Sequence, residues 1–189
     1  MSLNKKLVGT DLGLTNEEKA ELLRIARSVI EAKSSGKPLP YLSASSKKLE
    51  EPYGAFVSLY KKGMLRGCIG SLQADEPLYK TVEEMAQAAA FRDPRFRAVT
   101  EDELPYLDVE ISVLTPLRQI DNPEEVQVGT HGIMIRKGFL SGLLLPQVAA
   151  ERNWDRTTFL QETCRKAGLP GNAWMDDDTE IYVFSADVF

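Results

Sequence analysis

The residues able to do chemistry are few in this chain, and several gather in one heptapeptide, Leu65-Arg66-Gly67-Cys68-Ile69-Gly70-Ser71. A strand gains little from Gly67 and Gly70, because glycine has no side chain to pack and loses the most backbone entropy on ordering. If 64–70 is a strand, Met64, Arg66 and Cys68 share one face. Two residues along a strand span about 6.6 Å, so the Arg66 guanidinium is expected to lean over the sulfur and favour the thiolate. Cys68 then reads as a nucleophile and Arg66 as its activator, with Gly67 and Gly70 clearing space for a substrate. The competing reading is structural: a small buried thiol beside glycines that accommodate a bulge or a tightly packed helix.

His131, in Gly129-Thr130-His131-Gly132-Ile133, is the single histidine and the candidate base for that thiol. Its alternative role is to cap a turn through hydrogen bonds. In Phe91-Arg92-Asp93-Pro94-Arg95-Phe96-Arg97 three arginines cluster where a helix must end. There they compensate the helix dipole and pair with Asp93, or they form an anion clamp with Arg66, Lys61 and Lys62. The clamp would take a phosphate, a carboxylate or a flipped nucleotide, so Arg92 and Arg95 are candidate substrate-binding residues. Phe91 and Phe96 read as core, and so does Cys164, on the apolar stripe of an expected helix.

Metal and cofactor chemistry find no ligand pattern. One histidine and two separated cysteines offer no cluster. The acidic run 175–180 lacks the alternating spacing of a calcium loop and reads as a solvated turn. Dinucleotide, Walker A, zincin and nucleophile-elbow motifs are missing, so neither a metal nor a cofactor is expected.

The elements that must position these residues follow from periodicity and punctuation. Thr15-Asn16-Glu17-Glu18 has the form of a capping box, and Leu22, Ile25, Ala26, Val29 and Ile30 follow at helical spacing, which predicts a helix over 15–33. A linker with Pro38 and Pro40 ends it. The apolar runs 55–60 and 64–70, joined by Lys61-Lys62-Gly63, predict a hairpin. A helix is expected from near Asp75, with Pro77 in its first turn, to just before Pro94. A strand over 107–114 and a hairpin over 132–145, turning at Lys137-Gly138, come next. Pro146 opens a short helix, Asp155 caps another that Gly168 and Pro170 end, and 181–184 is a last strand. No internal repeat is visible. Hairpins interspersed with helices predict an α+β fold with a mostly antiparallel sheet flanked by helices.

Composition bounds the function. With 189 residues, 43% of them hydrophobic, the chain can bury a sizeable core. A net charge of −5 argues against general DNA binding. Neither a signal peptide nor a membrane span is legible, so the cytoplasm is the expected location and no membrane partner is expected.

The heptapeptide also resembles the signature of the AMMECR domain family. So do the segments 88–96 (AAAFRDPRF), 109–114 (VEISVL), 131–133 (HGI), 145–154 (LPQVAAERNW), 159–169 (FLQETCRKAGL) and Trp174, in the same order. The resemblance implies one domain over 14–186 with a larger and a smaller lobe, preceded by an N-terminal segment 1–13. It also implies Memo-type and radical-SAM proteins as partners. It does not supply an activity. Two readings follow: an enzyme with a Cys68 thiolate that modifies a nucleobase or other small molecule, or an adaptor whose glycine-lined groove receives a protein, a peptide or an RNA segment.

Overall fold

The structure is a computed structural model and describes residues 9–72 and 74–189. The first eight residues of the expected N-terminal segment 1–13 lie outside the described residues. The chain divides into two compact units, one formed by 12–116 with 187–189, the other by 117–186 with residues 9–11.

In the first unit, helix α1 (Asn16–Ser34) starts at the expected capping box. Glu18 N–H donates to Thr15 Oγ1 (3.2 Å) and Thr15 N–H to Glu18 Oε2 (2.8 Å), satisfying two donors that helix geometry leaves orphaned. After a short helix α2 (Lys47–Glu50), strands β1 (Ala55–Lys61) and β2 (Met64–Ser71) form the hairpin. Its two-residue turn, Lys62-Gly63, has both φ angles positive (53° and 76°), which matches the twist of the flanking strands. Helix α3 (Leu78–Phe91) begins directly after Pro77, and β3 (Leu107–Leu114) returns antiparallel beside β1. The strand order is β2-β1-β3. Ala55, Val57, Leu59, Ile111 and Val113 form one face of these strands and bury against the apolar stripes of α1 and α3. Neither α2 nor the strand β4 below was expected from the sequence.

The second unit contains β4 (Arg118–Ile120), β5 (His131–Lys137), β6 (Leu140–Leu144), α4 (Pro146–Glu151), α5 (Arg156–Lys166) and β7 (Glu180–Val188). Strand β7 is longer than the expected 181–184 and pairs with both β5 and β4. Its last two residues and Phe189 belong to the first unit, where Ile111 and Phe189 exchange backbone hydrogen bonds. The second core holds Ile133, Ile135, Phe159, Leu160, Cys164, Ile181 and Val183.

The two units share a plan that the sequence does not display as a repeat. In each, a hairpin with a glycine in its two-residue turn, Lys62-Gly63 or Gly138-Phe139, is followed by helical structure and then by a strand that pairs with the hairpin's first strand. In each, a glycine of the hairpin's second strand touches helix backbone. A Cβ at Gly67 would fall 2.2 Å from Ala89 O, and one at Gly142 would fall 2.3 Å from Ala167 N. Among the described residues no helix is long and apolar enough to cross a membrane.

Candidate functional site

The register of the first hairpin changes the expected geometry of the heptapeptide. Ser58 pairs with Cys68 and Leu59 with Gly67, but Tyr60 pairs with Leu65, so Arg66 is an extra residue in β2. Such a bulge breaks the two-residue alternation of faces. Leu65 and Cys68, opposite Tyr60 and Ser58, therefore share a face, and Arg66 does not stand beside Cys68 as strict alternation requires. Its guanidinium instead grips Glu103 with two bonds, Nε to Oε1 (3.0 Å) and Nη2 to Oε2 (2.8 Å), and Lys61 Nζ adds a third (2.7 Å). Arg66 is thus a structural cation, in place of the expected thiol activator.

The glycines are corrected in the same way. Gly67 faces α3 and admits the Ala89 carbonyl. Gly70 lies under the ring of Phe56, where a Cβ would be 2.1 Å from Cγ. The space that a Cβ would take at each is occupied by the protein itself, so neither glycine opens room for a substrate directly above its Cα.

What remains around Cys68 is a row of polar side chains across three strands, on the face away from the helices. Cys68 in β2 pairs with Ser58 in β1, which pairs with Glu110 in β3. The Ser58 hydroxyl donates to Cys68 Sγ at 3.2 Å. Ser58 is buried and Cys68 half-buried. Burial pushes the Cys68 thiol above its ordinary value, Ser58 and Arg95 pull it down, and Asp93 and Glu110 push it up. Cys68 therefore rests as a thiol at neutral pH, contrary to the expected thiolate.

The second unit shows that the fold does not require such a row. Aligning Gly142 with Gly67 brings Leu143, Met134 and Tyr182 to the positions of Cys68, Ser58 and Glu110. The same plan is built there with a largely apolar row. The sequence reading missed Ser58 and Glu110. A signal existed, since each is a polar residue inside an apolar strand, but their alignment depends on strand pairing.

The arginine segment serves Cys68 through its main chain. Asp93 Oδ2 accepts from Cys68 N–H (2.9 Å), and Arg95 Nη2 donates to Cys68 O (3.2 Å) and to Asp93 Oδ2 (2.7 Å). Arg92 pairs with Glu84 on α3 (3.5 Å). Each of Arg66, Arg92 and Arg95 thus has a carboxylate partner within the chain, which offsets their charge in the expected anion clamp.

Arg95 beside Asp93, and Arg66 beside Glu103, hold these two buried carboxyls down at about 2. A depressed carboxyl contributes stability that is full above its unfolded value and is lost as pH falls through its folded value. Thermal stability is expected to decline between about pH 5 and pH 2, by on the order of 2 kcal/mol per group. Glu103→Gln should flatten the acid limb of melting temperature against pH, and an acid limb identical to that of the wild type would contradict the assignment.

His131 lies in the other unit, at the start of β5. Its Nδ1 accepts from Gln127 N–H (3.3 Å) and its own N–H donates to Gln127 O (2.8 Å), so it closes the turn before the strand. Burial, with Arg118 nearby, lowers its pKa and keeps the ring neutral at pH 7. Cys164 is fully buried, as expected. Lys137 ties the acidic run through Asp176 and Asp178, each at 2.7 Å. Among the described residues no group of three or more His, Cys, Asp or Glu side chains could hold a metal ion.

These features define a two-unit α+β protein whose first unit carries a cysteine–serine–glutamate row. The AMMECR1 family model matches residues 23–189, and the chain belongs to that family. A Methanopyrus kandleri protein is 43% identical over 186 residues, covering 93% of this chain and 89% of the relative. A Methanothermobacter thermautotrophicus protein is 42% identical, covering 93% and 95%. The crystal structure of an uncharacterized Pyrococcus horikoshii protein superposes with a TM-score of 0.83 at 40% identity, covering 88% of each chain.

Proposed function

We propose that this protein is an enzyme whose Cys68 thiol attacks an electrophilic carbon of a small uncharged substrate, passing its proton through the Ser58 hydroxyl to Glu110. The observation that carries this reading is Ser58 Oγ at 3.2 Å from Sγ, on the residue paired with both Cys68 and Glu110. A hydroxyl both donates and accepts, so it can take the thiol proton while giving its own to a carboxylate. A thiol that rests protonated needs such a base, because the thiolate is the attacking species. An acyl substrate would form a thioester at Sγ, and the departing alcohol or amine would recover the proton from Glu110.

The uncharged substrate follows from the pairing of Arg66, Arg92 and Arg95 with Glu103, Glu84 and Asp93. In this reading the Memo-type and radical-SAM partners implied by the resemblance would act on the same small molecule before or after this step.

Mass spectrometry after incubation with neutral p-nitrophenyl esters tests the proposal. The expected result is an acyl group on Cys68, none on Cys164, and none on Cys68→Ser. A wild-type protein that stays unacylated on Cys68 would end the reading.

A further inference from the structure

Strand β2 is an edge strand of the first unit, and an edge strand needs partners for the backbone groups that point away from its neighbour. At Cys68 side chains provide them. Asp93 Oδ2 takes the N–H, Arg95 Nη2 gives to the C=O, and these two atoms bond each other, closing a ring. Asp93 Oδ1 accepts from the Arg95 backbone N–H and from Arg95 Nε, both at 3.0 Å, so the pair presents one acceptor and one donor as a neighbouring strand would.

Two features make this more than edge protection. The Asp93 side chain is only 1% exposed, and it sits two residues beyond the end of α3, where the helix dipole disfavours an anion. A buried carboxylate held against that field requires a specific partner, and its partners are Arg95 and the Cys68 peptide.

We infer that Asp93 and Arg95 are positioning residues for Cys68: they fix the peptide that carries the thiol and hold two opposite charges beside it. The inference rests on the catalytic reading of Cys68 and supplies its control. The groups that act on the thiol are Ser58 from β1, Glu110 from β3, and Asp93 and Arg95 from the segment after α3. The two charges of the pair work in opposite directions. Asp93 disfavours the thiolate and Arg95 favours it.

The test is the thiolate absorbance of Cys68 against pH, with the Cys68→Ser variant subtracted to remove Cys164 and tyrosine. Asp93→Asn keeps an oxygen for the Cys68 N–H and removes the negative charge, so its midpoint should fall by about one pH unit. Arg95→Ala should raise the midpoint by a similar amount, and Arg95→Lys should restore most of it. A purely structural role would loosen the same segment in both variants and move the thiol the same way. Shifts of equal sign, or none, would overturn the inference. Because the titration needs no substrate, this failure is separate from a failure to acylate Cys68.

Discussion

Gly67→Val is expected to leave the first unit without a cooperative unfolding transition. The Cβ alone would stand 2.2 Å from Ala89 O and 3.1 Å from Ala89 C. Both are backbone atoms of α3, which cannot yield as a side-chain tip does. Separating β2 from α3 opens the core around Val57, Leu59, Val82 and Ala86, all fully buried. The destabilisation should exceed about 3 kcal/mol, the upper range for overpacking. Gly70→Ala provides the contrast, because the atoms nearest its new Cβ belong to the Phe56 ring, a side chain that can swing aside about χ1, and a loss of about 1–2 kcal/mol is expected. Circular dichroism melts check both. A Gly67→Val protein that melts like the wild type would mean that α3 does not contact β2 here.

The second large effect belongs to Glu103. Its side chain is 11% exposed and accepts from Arg66, itself 14% exposed, and from Lys61. Glu103→Ala leaves the buried guanidinium without its anion, and removing one partner of a buried pair costs about 3–5 kcal/mol. Lys61 is about one-third exposed and adds little to that figure. Replacing both members, Arg66→Met with Glu103→Leu, removes the unpaired charge as well, and the double variant should unfold at higher urea than Glu103→Ala. A double variant less stable than Glu103→Ala would contradict this account of the pair.

How much of this was legible in the sequence depends on how local each signal is. The Thr15–Glu18 capping box, the Lys62-Gly63 turn, Pro146 and the Asp155 cap each act within a few residues, and each expected element formed, as did the second hairpin, which turns at Gly138-Phe139, one residue beyond the expected Lys137-Gly138. Arg66 illustrates the opposite case. Strict alternation put it beside Cys68, but the bulge opposite Leu59 and Tyr60 redirects it, and a bulge is a property of two strands together. Gly67 and Gly70 stand out in the sequence as unusual within a strand, yet what fills their space comes from α3 and β1. Ser58 and Glu110 are 52 residues apart in number and meet only through the pairing of β1 with β3. The sequence points to Asp93 as a partner for the arginines, and its bond to the Cys68 peptide follows only from the edge of β2.

The shared plan of the two units sharpens the view of the site. A fold that can place Leu143, Met134 and Tyr182 along one row has no packing need for Cys68, Ser58 and Glu110 along the other. Packing therefore does not explain the polar row, whereas the proposed proton path would use each of its three members.

The most direct test of that claim is the rate at which iodoacetamide alkylates Cys68 at neutral pH, compared between the wild type and Glu110→Gln, with Cys164 as the slow internal reference. A base that acts through Ser58 predicts that Glu110→Gln slows Cys68 at least about tenfold. Loss of charge alone predicts the reverse, because removing an anion near the sulfur favours the thiolate. A Glu110→Gln protein that reacts as fast as the wild type, or faster, would contradict the proton path and return Cys68 to a structural role.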